Sequence, residues 1–262
     1  MRTDRHHTLA VMALTAVFAL TGPAGAGLLL AAEKESETAS PETGPTAQAV
    51  NPPVTSKGVA AGQATQALDV QLPRAKFTET PQDIRPSPML EPYAPAPRPP
   101  FLVPKGCRNV ALGKPVTSSD RVPIIGELEM VTDGDKEADD GSYVELAPGR
   151  QWVQIDLKAR CALYAVLVWH QHGVPCVYHD VVVQVSDNPD FVEGVTTVYN
   201  NDFDNSAGLG IGKDLEYVED YRGRLIDAAG AKGRYVRLYS AGSTANDQNQ
   251  VIEVEVHGKP AS

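Results

Sequence analysis

The chain has 262 residues, 42% of them hydrophobic and 21% charged, and a formal net charge of −10 at pH 7. Residues 1–106 balance their charges and hold most of the 21 prolines, so the whole of the −10 falls in residues 107–262, together with both tryptophans. That distribution predicts one acidic folded domain large enough to bury a core, excludes the basic footprint that nucleic-acid phosphates require, and leaves no stretch after residue 32 apolar enough to span a bilayer.

The first element in chain order is a leader, residues 1–32. Arg2 and Arg5 precede an uncharged run over residues 8–32, with an apolar heart at 9–20 and small residues at Ala24-Gly25-Ala26 and Ala31-Ala32. A charged start, an apolar centre and a small-residue end predict a secretory signal. The uncharged run is also long enough to serve as an uncleaved membrane anchor, but Gly22-Pro23 and Gly25 break it and favour cleavage. Either arrangement carries the rest of the chain out of the cytoplasm, as a secreted or extracytoplasmic protein, where a disulfide is permitted.

Residues 33–106 are expected to be a disordered Pro/Ala/Thr-rich linker. Asn51-Pro52-Pro53 and Pro95-Ala96-Pro97-Arg98-Pro99-Pro100 typify it. Such a segment carries too little apolar surface to offset its ordering entropy, and its proline-rich end predicts a semi-rigid stalk.

From residue 107 onward short apolar runs alternate with turn residues. In residues 151–157, Val153, Ile155 and Leu157 share a face. Residues 163–169 are nearly all apolar and 180–186 are rich in valine, as in strands buried on both sides. Val236 and Leu238 oppose Tyr235, Arg237 and Tyr239, and in the last run Val251 and Glu253 are placed on one face. Many short strands with turn signals predict an all-β sandwich or jelly roll over residues 107–262.

Six of these segments, in order, resemble the discoidin, or coagulation factor V/VIII type C, domain family, over residues 107–259. They are Asn109-Val110-Ala111-Leu112-Gly113-Lys114-Pro115, Val131-Thr132-Asp133-Gly134-Asp135, Trp152-Val153-Gln154-Ile155-Asp156-Leu157, Val183-Gln184-Val185-Ser186-Asp187, Arg234-Tyr235-Val236-Arg237-Leu238-Tyr239 and Glu253-Val254-Glu255-Val256-His257-Gly258. Family 32 carbohydrate-binding modules and fucose-binding lectins are relatives. The resemblance implies an eight-stranded jelly-roll β-sandwich of the galactose-binding type, and binding of glycans, lipid head groups or proteins far more often than catalysis. A fold alone licenses no particular ligand.

Asp133, Asp135, Glu137, Asp139 and Asp140 crowd one turn and repel one another unless solvent or a cation screens them. Oxygen-only ligands suit Ca²⁺. The resemblance implies a structural Ca²⁺ held by Asp133, Asp135, the Met130 carbonyl and Glu253, with the Ile252 carbonyl nearby. A hydroxyl from Ser142, or in its stead the Ala138 carbonyl, completes the shell.

Three of the domain's four histidines, His170, His172 and His179, fall within ten residues, beside Tyr178. Three arrangements account for them. A transition metal can use His170 and His172, which share a face of an extended strand. A glycan or other polar ligand can stack on an aromatic face and pair with His170, His172, Tyr178, His179 and Asn246 at a loop rim. A plain loop leaves Trp169 buried and the histidines capping strand ends. The fucose-binding triplet of one His with two Arg is absent from this sequence, which argues against fucose.

No Gly-x-Ser-x-Gly or His-Glu-x-x-His motif occurs, and the cysteines lack metal-site spacing. The expected protein is therefore a non-enzymatic binding module for a glycan or another polar extracellular ligand. A protein–protein or envelope adhesion module is the alternative, and a His-centred metalloenzyme the third. Cys107, Cys161 and Cys176 allow one disulfide. The entry segment of the resembled fold runs close to the sheet, which implies a Cys107–Cys161 pair.

Overall fold

A computed structural model describes residues 51–261. The expected leader, and the expected linker as far as residue 50, lie outside the described residues. The elements are β1 (Val54–Thr55), β2 (Thr65–Ala67), β3 (Phe101–Pro104), β4 (Arg108–Asn109), β5 (Val116–Ser118), a 3-10 turn (Leu128–Thr132), β6 (Val144–Leu146), β7 (Gln151–His170), β8 (Val182–Ser186), β9 (Thr196–Asn200), β10 (Arg224–Ser240) and β11 (Asn249–Pro260). Among the described residues no helix is long and apolar enough to cross a membrane.

Strands β4 to β11 form one eight-stranded sheet in the order β4-β11-β7-β10-β8-β9, with β5 on β7 and β6 on β11. Two long strands fold that sheet over. Lys158 in β7 and Ala229 in β10 take positive φ values of 66° and 51°, and the β7–β10 register breaks between Asp227 and Ala231 and between Gly233 and Tyr235. The first half of β7 pairs with β5 and the second with β11. Strands bent in this way serve two layers at once. Ile155, Leu157, Val183 and Val236 of one layer meet Val166, Val168, Val254 and Val256 of the other in a single core. Each such side chain contributes roughly 1.5–3 kcal/mol by leaving water. The result is the expected jelly-roll sandwich.

The apolar run over 163–169 is buried on both faces. Leu163, Val166 and Val168 point between the layers, while Ala162, Ala165, Leu167 and Trp169 point out the other side. The change of parity comes from a bulge at Tyr164, since Ala165 pairs with His257 but Leu163 with Gly258. Phe101 and Val103 of β3, with Cys107, Leu68 and Val70, cover that outer face.

Residues 51–106 are therefore not a free linker. β1, β2 and β3 make a three-stranded sheet in the order β1-β3-β2, and the segment belongs to the same compact unit as the sandwich. Ser56 Oγ donates to Asp227 Oδ1 at 2.7 Å and the Lys57 N–H to Asp227 Oδ2 at 2.9 Å. Gly58 lies flush on the β10 bend, where a Cβ would come within 2.4 Å of the Ala229 carbonyl carbon. Composition weighs only a segment's own apolar content. Here a few apolar residues cover a face that the sandwich already provides, so burial is gained on both sides.

Two further expectations are corrected. Cys107, Cys161 and Cys176 are all free and buried. Cys161 packs between the layers while Cys107 packs on the outer cluster, so the sheet separates them. Burial pushes the Cys107 thiol up to about 11 and raises Cys176 further. Alkylation of the native protein at pH 8 should accordingly be slow, with all three thiols modified only in denaturant. A fast native adduct would show an open face. Val251 and Glu253 do not share a face either. Val251 pairs with His170 and Glu253 with Trp169, so the bulge at Ile252 turns Glu253 outward while Val251 stays in the core.

Candidate functional site

The pairings Arg224 with Val168, Val251 with His170, and Val182 with both Asn200 and Tyr239 bring three loops to one end of the sandwich. These are residues 171–181, 201–223 and 241–248. A stretch of the N-terminal segment crosses this rim as a strap. The Glu91 N–H donates to the Glu216 carbonyl at 2.8 Å and the Glu216 N–H to the Met89 carbonyl at 2.9 Å.

The histidine cluster lies mostly inside the protein. His170, His172 and Tyr178 are buried and therefore cannot touch a ligand, contrary to the sequence expectation. His170 Nδ1 stands 2.6 Å from Glu219 Oε1, both side chains with no exposure, and its ring stacks on Tyr178 at 4.1 Å between centroids. His172 Nε2 is 3.0 Å from the Lys136 carbonyl. Trp169 is buried too, its Nε1–H donating to the Tyr221 carbonyl at 3.0 Å. These groups fasten the rim loops to the sheet, as polar side chains taken out of water require partners. The sequence carries no sign of Glu219 as the partner, because it lies 49 positions from His170.

His179 is the histidine that reaches the surface. Its side chain is 43% exposed and its Nδ1 lies 3.4 Å from Glu216 Oε1. Both border a cleft of about 380 Å³. Ile84 and Leu90 of the strap and Val177 of the rim give it apolar walls, while Arg85, Glu216 and Thr244 give it polar ones. Asn246 is exposed in the neighbouring turn, where its side-chain oxygen accepts the Gln248 N–H at 3.1 Å, and does not line the cleft. The strap residues were invisible to the sequence reading. The two-faced apolar run over 163–169 signals that a cover exists, but that cover is Phe101, Val103, Leu68 and Val70 rather than the strap.

Cationic side chains screen Glu137 and Asp139 of the acidic turn, while its Lys136 is taken by Glu255 of β11. Arg74 pairs with Glu137 at 3.4 Å, Lys76 with Asp139, and buried Lys136 with Glu255 at 2.8 Å. His257 Nε2 lies 2.9 Å from the other Glu255 oxygen. Asp133 and Asp135 are exposed and accept the N–H groups of Asp135 and Glu137. Met130 sits in the 3-10 turn, and the Ser142 N–H donates to the Asp139 carbonyl. Glu253 differs from all of these. It is fully buried, its Oε2 accepts the Gly134 N–H at 3.2 Å, and its Oε1 has no partner among the described residues. Burial first, then Glu255 and Asp133, raise its carboxyl to about 8 against the opposing Gly134 N–H and Lys136. The carboxylates of Asp133 and Asp135 do not converge with that of Glu253, so of the expected calcium ligands Glu253 alone offers a buried oxygen without a partner among the described residues.

Elsewhere, the carboxylates of Asp180, Asp202 and Asp204 converge, but Ser206 and Ala207 already donate to them. Arg234 binds both oxygens of Asp156, which holds that carboxyl well below the usual range. Arg237 is wedged between the Trp152 and Phe191 rings at 4.2 Å from each and donates to Gln154. Arg234 thus neutralises a carboxylate, whereas Arg237 packs on aromatic faces.

No family model and no curated protein matches the sequence. Among solved structures, the chain is similar to a family 89 glycoside hydrolase from Clostridium perfringens, at 17% identity and a TM-score of 0.43 over 58% of this chain. It spans 15% of that hydrolase. It is also similar to chitosan-binding module 1 of a chitosanase/glucanase from a Paenibacillus species, at 19% identity, 57% of this chain, 98% of the module and a TM-score of 0.36. A fucolectin from Morone saxatilis serum is similar at 19% identity, 58% of this chain, 49% of that one and a TM-score of 0.41.

Proposed function

We propose that the chain is a non-catalytic carbohydrate-binding module whose loop rim takes a sugar in the cleft beside His179. The observation that carries this is the cleft itself, with polar groups converging over apolar walls, the composition that small-ligand sites use. The rim is held rigid by the buried His170–Glu219 pair, so little ordering cost attends binding. The two other histidines of the cluster are committed internally, which favours this reading over a metalloenzyme. Structural calcium beneath the acidic turn belongs to the same proposal, with Glu253 as its buried ligand and Asp133 and Asp135 turning toward it on binding. So does export, which rests on the leader sequence.

A glycan array probed with the full chain tests the proposal. A bound saccharide should lose affinity about tenfold or more in His179→Ala and in Glu216→Gln, since each removes a polar contact of about 1.4 kcal/mol or more. An array with no bound saccharide would sink the proposal. Binding that ignores both substitutions would remove the site from this cleft.

A further inference from the structure

The strap and the start of β10 enclose a second cavity of about 420 Å³. Arg98, Arg222 and Arg224 border it, with Asp220, Glu91 and Tyr93. Three guanidinium groups around one space stand out in a chain with a net charge of −10. Two of them have carboxylate partners. Arg222 Nε lies 3.1 and 2.9 Å from the two Asp220 oxygens, and its Nη1 donates to the Ala94 and Ala96 carbonyls at 2.7 Å each. Arg224 pairs with Glu91 and lies over the Tyr199 and Tyr217 rings.

Among the described residues Arg98 has no carboxylate within ion-pair distance. Its Nη2 donates to the Arg222 and Gly223 carbonyls. Burial first, and then Arg222, lower its pKa to about 10. The Arg224 Nε–H, at the same cavity, is buried without a partner. Among the described residues, three guanidinium groups against two carboxylates leave one positive charge uncompensated at a half-open, half-buried cavity. Positive charges out of water are costly unless paired. An oxyanion entering from solvent supplies the missing charge and accepts the spare N–H groups, and the planar fork of arginine matches carboxylate and sulfate geometry. The volume falls within the range of about 300–1,000 Å³ typical of ligand sites.

We propose that this cavity is a subsite for an anionic saccharide, the carboxylate or sulfate of an acidic sugar pairing with Arg98. The proposal rests on the carbohydrate-binding reading and narrows it to an acidic ligand class. The bland alternative is that Arg98 only pins the strap to β10.

Calorimetric titration of the intact chain separates these outcomes. The probes are a galacturonic acid oligomer, a sulfated galactose oligomer and a neutral galactose oligomer of equal length. At least one acidic probe should bind about tenfold or more tighter than the neutral one, with the advantage shrinking as salt rises from low to near-physiological strength. Whether carboxylate or sulfate is preferred identifies the source of the anion. Arg98→Gln should abolish the acidic preference, read as the ratio of acidic to neutral binding in the same variant. Arg98→Lys, which keeps the charge, should retain part of the preference even if the strap loosens. Equal binding of acidic and neutral probes overturns the acidic subsite and leaves the carbohydrate reading standing. So does an acidic preference that survives Arg98→Gln, or one that Arg98→Lys loses completely. Binding of none of the probes, together with an empty glycan array, overturns both.

Discussion

Replacing Glu253 by Gln is expected to stabilise the metal-free protein at pH 8 and to abolish its response to Ca²⁺. The folded carboxyl has a pKa of about 8, against an ordinary 4.5 in the unfolded chain. Between those values the folded state holds a proton that the unfolded state has lost. Stability of the chelated protein must therefore fall as pH rises from about 4.5 to about 8, and the full penalty applies above that. It amounts to something on the order of 5 kcal/mol. For a unit of this size that is a difference of about 10–20 °C in melting temperature at pH 8. Gln carries no charge and escapes the penalty, so its chelated melting temperature should be higher and nearly flat across this range. Calcium reverses the ranking. Binding to the ionised wild-type carboxylate in the folded state alone should raise wild-type stability with the logarithm of the Ca²⁺ concentration above its Kd. Differential scanning calorimetry with chelator and with millimolar Ca²⁺ reads both effects. A wild-type melt indifferent to Ca²⁺ would eliminate the calcium site, and a flat pH profile in chelator would eliminate the buried-acid account.

Val103→Asp should strip the N-terminal segment from the sandwich. Val103 has no exposure and sits in the cluster that contains Trp169, likewise unexposed. An unpaired carboxylate there has neither water nor a counter-charge, and substitutions of that kind cost several kcal/mol. The loss is capped by the free energy of docking the segment, since detachment returns the Asp to water, and we expect about 3–5 kcal/mol in denaturant titration. Three readouts should move together: a red shift of tryptophan emission as Trp169 becomes wet, proteolysis within residues 51–106, and reduced stability. If residues 51–106 were only a stalk, none of the three would change.

Much of the sandwich is legible because strand patterning is local. Val153, Ile155 and Leu157 alternate inward as expected, and so do Val236 and Leu238. Gly134 of the acidic turn and Glu253, 119 positions apart in the chain, meet through one N–H on the carboxylate, while the Asp133 and Asp135 carboxylates do not converge on it. The site fared worse. A cluster of His and Tyr looks the same in sequence whether it faces solvent or the interior. Glu219, on another loop, internalises His170, and the Lys136 carbonyl occupies His172. His179 remained at the surface.

Period-two alternation and turn chemistry act over a few residues, so they made an all-β sandwich, the inward face of most of its strands and the acid-rich turn legible in the chain, while the jelly-roll form was what the family resemblance implied. Only the tertiary structure decided what lies beyond that range. A one-residue bulge at Ile252 turns Glu253 to the outer face, the two-faced run over 163–169 recruits a proline-rich segment as its cover, and the sheet itself separates Cys107 from Cys161. Each depends on which surfaces meet after the chain has folded, so the free energy that fixes it belongs to contacts between distant segments and leaves no periodic trace in either one.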